Sequence, residues 1–140
     1  MPSAIPDLWP DDLSVADVVP PVVILRQQAS LLGKKFKYVI EGEVQSDELG
    51  GNFVHSLYIV APALGDYHYL LCRVTHDIEP YPLRIIDVKD LQQIPCKDEQ
   101  EFIKELGNIF QSEWTRRVMA SLIAQSEAIP ETPTRRRPSA

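Results

Sequence analysis

Three apolar-alternating segments, Phe36–Val44, Phe53–Ala61 and Tyr67–His76, follow one another with only turn chemistry between them. A side-chain period of two puts alternate residues on opposite faces of an extended strand. Connections this short favour antiparallel neighbours, since parallel pairing requires a long crossover. The expected product is therefore a meander with an apolar and an amphipathic face.

The first segment sets Phe36, Tyr38, Ile40, Gly42 and Val44 against Lys37, Glu41 and Glu43. Gly50-Gly51-Asn52 marks the turn into the second, which carries Phe53, His55, Leu57 and Ile59 on one face and Val54, Ser56, Tyr58 and Val60 on the other. Pro62–Asp66 turns the chain into the third. With Ala63 opposite Asp66, His55 faces Val74, Leu57 faces Cys72 and Ile59 faces Leu70. That register collects His55, Cys72 and His76 on one face, and Tyr58, Tyr67, Tyr69, Leu71 and Arg73 on the other. Leu83–Val88 is expected to add a short fourth strand.

Helical patterns flank the meander. Pro20-Pro21 suits a helix entry. Val22, Leu25, Ala29 and Leu32 then recur at helical spacing, with Gly33-Lys34-Lys35 as an end signal. Asp98 and Glu101 form a D-x-x-E capping box ahead of Phe102, Leu106, Ile109 and Phe110. Ser112 can cap a last helix bearing Trp114, Val118, Leu122 and Ile123. The fold class expected is α+β: an antiparallel meander of three to four strands, one N-terminal helix and two C-terminal helices, in two layers.

Around this domain, residues 21–128, lie two segments of different composition. Residues 1–20 carry four acids, no bases and four prolines, and read as an extended or partly disordered arm. Its Ile5, Leu8, Trp9 and Leu13 are expected to lie across the domain's own core; the alternative is a linear interaction motif. Residues 129–140, with Arg135-Arg136-Arg137, read as a disordered tail.

Composition narrows the function classes. A net charge of −6 argues against general nucleic-acid binding, which needs a basic patch to displace counterions. No apolar run is long enough to span a membrane, and no secretory leader pattern opens the chain, so the expected address is cytoplasmic. Cys72 and Cys96 have no metal-type spacing. Phosphate-cradle, dinucleotide, nucleophile-elbow and zinc-protease motifs are missing from the sequence.

Four constellations carry residue types suited to chemistry or binding. His55, Cys72 and His76, with Asp77 or His68 as a further ligand, could converge on a borderline-soft ion; the simpler reading is two satisfied margin histidines and an apolar cysteine. Cys72 with a nearby histidine could serve nucleophilic catalysis, but an apolar strand position opposes a reactive thiolate. Glu41/Glu43 and Asp77/Glu79 are more simply a solvated sheet edge. Tyr58, Tyr67, Tyr69 and Arg73 have the residue types of binding hot spots, unless helices cover them.

In size and acidity the chain resembles bacterial secretion chaperones and toxin-immunity proteins, although its helix–meander–helix–helix order departs from the secretion-chaperone pattern. The function expected is a non-catalytic protein–protein interaction module, an adaptor, chaperone-like or inhibitor protein without a cofactor. Its contacts would be Tyr58, Tyr67, Tyr69, Arg73, Leu8 and Trp9, with a homodimer through the sheet edge or the tyrosine face as a subsidiary expectation. The alternatives are a small enzyme or metal- or ligand-binding domain using His55, Cys72, His76 and Asp77, and an accessory subunit of a larger assembly.

Overall fold

Pro21 opens helix α1 (Pro21–Lys35) in the computed structural model, which describes residues 4–15 and 17–129. Pro21 sits where a missing N–H costs nothing. Ile24, Leu25 and Ala29 are buried along one side. Gly33 does not end the helix as its position suggested. It lies inside and leaves space for the Tyr38 ring, whose atoms would stand 3.0 Å from an added Cβ. The chain leaves the helix through Lys37 and Tyr38, both left-handed (φ 53° and 63°), with Tyr38 N–H bonded to Gly33 O. This turn takes up the residues expected to begin the first strand, so β1 runs Glu41–Leu49 rather than from Phe36.

Gly50 and Gly51 form a two-residue hairpin into β2 (Asn52–Ala61) with φ of 57° and 87°. Positive φ at both positions matches strand twist, and glycine adopts it without strain. A single 3₁₀ turn, Pro62–Leu64, and left-handed Gly65 and Asp66 lead into β3 (Tyr67–His76). Then come β4 (Leu83–Asp87) and β5 (Gln92–Cys96), in the sheet order β1-β2-β3-β4-β5, antiparallel throughout. The meander thus has five strands, not three to four. The fifth, Gln92-Gln93-Ile94-Pro95-Cys96, lacks an apolar alternation strong enough to announce it, and its proline is tolerated because the strand is an edge.

The β2–β3 register is as expected for His55–Val74 and Leu57–Cys72, then shifts. Tyr58 pairs with Leu70 and Ile59 with Tyr69, so Leu71 is an extra residue: a β-bulge. Beyond the bulge the faces exchange. Tyr67, Tyr69 and Leu71 join Cys72 and Val74 on one side, while His68 and Leu70 move to the side of Tyr58 and Arg73. The expected single tyrosine face is therefore split.

Helices α2 (Glu99–Phe110) and α3 (Glu113–Ala128) complete the chain. Asp98 Oδ1 accepts from Glu101 N and Ser112 Oγ from Thr115 N, the N-caps their sequences indicate. All three helices pack on one side of the sheet. There Leu25, Ile40, Ile59, Val74, Ile85 and Phe102 are fully buried, a burial stabilising by about 1.5–3 kcal/mol for each large side chain. Gly42 lets α1 approach closely, since a Cβ there would lie 2.5 Å from the Ala29 Cα. The other side, with Glu43, Tyr58, His68, Arg73 and Arg84, has no helix over it among the described residues. The result is a two-layer α+β domain. No helix among the described residues is long and apolar enough to cross a membrane. The tail expected after Ile129 lies outside the described residues.

Candidate functional site

The hairpin brings His55 and His76 together, as the strand phase indicated. Their Nε2 atoms are 3.1 Å apart. Each outer nitrogen has its own partner: His55 Nδ1 lies 2.8 Å from Ser46 Oγ, and His76 Nδ1 lies 2.6 Å from the Asp77 carbonyl oxygen. A carbonyl only accepts, so His76 Nδ1 carries a hydrogen. In the neutral pair His76 Nε2 is then the acceptor, His55 Nε2–H donates to it, and Ser46 Oγ–H donates to His55 Nδ1. One directed chain links β1, β2, β3 and the loop after it. The Phe53 ring stacks on His76 at 5.3 Å. Burial, the neighbouring His76 and the Arg26 charge all hold His55 below its ordinary value.

Ser46 is the member that sequence reasoning missed. The alternating segment Phe36–Val44 stops short of Ser46; its pairing with His55 follows only from the full nine-residue β1. A hydroxyl donating to an imidazole that is oriented by a third group is the skeleton of an activated nucleophile. Here the base is weakened by desolvation, and Ser46 stands exposed on an edge strand.

Cys72 does not join this chain. It is fully buried, and burial first, with Asp87 nearby, pushes its thiol up to about 12. A nucleophile or thiolate ligand needs the opposite shift. Asp77 contributes its carbonyl to the chain. His68 lies on the far side of the sheet, bonded to the Asp66 carbonyl and to Glu43 at 3.0 Å. Among the described residues no three His, Cys, Asp or Glu side chains converge as a metal site.

The bulge separates the expected binding tyrosines. Tyr69 is on the helix side, and its hydroxyl accepts from Trp114 Nε1 at 2.8 Å. Tyr67, half exposed, lines a shallow groove with Leu64 and Leu122. Tyr58 is on the uncovered side, edge-on to His68 at 5.7 Å, and Arg73 beside it donates from Nε to Ser56 Oγ.

Two apolar features stand apart from the sheet. The arm does not lie on the core: Ile5, Leu8, Trp9, Leu13 and Val15 are 79–89% exposed, against the expectation of self-docking. Asp7 Oδ1 accepts from Trp9 N, turning the chain at Leu8. Among the described residues the arm is hydrogen-bonded to the body at its base, where Val19 N–H donates to Glu99 and the Tyr81 hydroxyl donates to Val19 O. The second feature is an open cleft of about 640 Å³ between the C-terminal half of α1 and the α2–α3 corner. Leu32, Phe36, Phe110 and Met119 line it, and Lys34 and Lys35 stand at its rim. Sequence reading put Leu32 and Phe110 on helix faces, Lys34 and Lys35 at a helix end and Phe36 in the first strand; only their convergence in space makes a cleft.

Comparison with family models, with curated proteins and with solved structures gives no match to this chain.

Proposed function

We propose that this protein is a non-catalytic interaction module that binds another polypeptide through its N-terminal arm. The observation that carries the reading is the exposure of Leu8 and Trp9, at 80% and 82%, on a segment whose described residues bond to the body near Val19. Large apolar side chains presented in water are unfavourable unless a partner covers them, and tryptophan is enriched where binding energy concentrates. Tyr58 and Arg73, on the sheet side that no helix covers, offer a second contact area. Cross-linking of the full chain in native lysate tests the reading. Cross-links should map to residues near Trp9 and fall away in Leu8→Ala/Trp9→Ala. Recovery of the chain alone and monomeric, with no arm cross-links, would count against it.

One observation favours a second reading, a small hydrolase: the Ser46–His55–His76 chain. A fluorophosphonate probe distinguishes it. Attack by Ser46 Oγ on phosphorus with loss of fluoride would leave a stable adduct on Ser46, absent in His55→Gln. Unmodified Ser46 in folded protein removes this reading.

A further inference from the structure

The exposed arm and the open cleft are complementary. The arm offers Leu8 and Trp9 flanked by Asp7, Asp11 and Asp12, and residues 1–20 carry no base. The cleft offers apolar walls, with Lys34 and Lys35 at the rim. Neither lysine is in an ion pair among the described residues. We propose that the cleft is the seat for the arm of a second copy of this chain, Leu8 and Trp9 filling it and the arm's carboxylates meeting Lys34 and Lys35. Two copies then exchange arms about a twofold axis. The proposal rests on the reading of the arm as a binding element and names what it binds.

The geometry favours a second copy over the chain's own arm. Val19 is tied to Glu99 at the start of α2, beside the start of α1. The cleft is lined from the other ends of these helices, by Lys34 and Lys35 of α1 and by Phe110 and Gln111. The arm therefore leaves the molecule at the end opposite its own cleft. Trp9 lies ten chain steps from Val19, an extended reach of roughly 33 Å, whereas α1 is about 22 Å long. The arm is long enough to fold back along α1, yet it lies off the body. Exchange satisfies both arms and both clefts at once, because a twofold contact pairs each copy's donor with the other's acceptor.

Charge exchange in the full-length chain tests this. One variant carries Lys34→Glu and Lys35→Glu, the other Asp11→Lys and Asp12→Lys. All four positions are exposed, and circular dichroism melts check that each variant folds. In light scattering the natural chain is expected to weigh as two copies. Each variant alone should self-associate roughly tenfold or more weakly, since like charges across an interface are repulsive. An equimolar mixture should recover the two-chain mass, because each arm then meets a cleft of opposite sign. A natural chain that stays monomeric, or a mixture no heavier than its components, overturns the exchange. A monomer whose Trp9 is shielded from acrylamide overturns it too, in favour of the chain's own arm. If exchange fails while arm-dependent cross-links to a different protein persist, the binding-module reading stands without it; if neither depends on the arm, both fall.

Discussion

Gly42 is the residue at which sequence and packing meet most tightly. In the strand pattern it occupies an inward position where an apolar side chain would be ordinary, and the structure shows why none is there: α1 passes across it with Ala29 in contact range. Gly42→Ala is expected to push α1 away and destabilise the fold by about 1–3 kcal/mol, read as a lower urea midpoint. His55 gives a residue-scale prediction in pH. Its folded pKa is depressed, chiefly by burial, so the unfolded chain takes up the proton first. The stability tied to neutral His55 is therefore complete above its unfolded value of about 6.5 and is lost as pH falls below it. His68 acts oppositely: the Asp66 carbonyl and Glu43 raise its pKa, so its contribution is present in acid and lost as pH rises through the folded value. Denaturation midpoints measured from pH 8 to 5, about 1.5 units either side of the free histidine value, should decline less steeply in His55→Gln than in the natural chain.

At the scale of elements, the Trp114–Tyr69 hydrogen bond ties α3 to β3, and Lys89 and Arg117 stand over the indole ring at 5.3 and 5.8 Å. Tyr69→Phe leaves the indole N–H without this partner and is expected to cost about 1–2 kcal/mol, with amide exchange rising first in α3. Most elements were legible because their signals are local. Pro21, Asp98 and Ser112 announce helix starts through their own chemistry, and Gly50-Gly51 announces a hairpin through φ. The misreadings share a non-local cause. Phe36 and Tyr38 have strand-like spacing, but the helix exit at Lys37 and Tyr38 overrides it. The bulge at Leu71 inserts one residue into an unbroken alternation, and nothing in Leu70-Leu71-Cys72 says which residue is extra. Of the candidate site, the convergence of His55 and His76 was readable from strand phase. Ser46 was not, because its partner depends on where β1 ends, and the cleft was not, because it needs three helices placed in space.

For the whole molecule, the consequential fact is that the helices take one side of the sheet. Leu71 and Arg73 lie two positions apart, where plain alternation would give them one environment, yet the bulge sends them to opposite sides. Leu71→Ala is expected to cost about 2–5 kcal/mol, and Arg73→Ala within about 1 kcal/mol; similar urea midpoints for the two variants would contradict the one-sided arrangement. The sheet's two borders limit how copies can meet. β1 carries Glu41, Glu43, Asp47 and Glu48 along nine residues, so a second such strand laid beside it would bring carboxylates together. β5 carries Pro95, whose nitrogen has no hydrogen to give. Growth of the sheet from molecule to molecule is thus discouraged at both ends by charge and by a lost donor, which leaves side-chain surfaces, rather than shared backbone ladders, as the means of assembly.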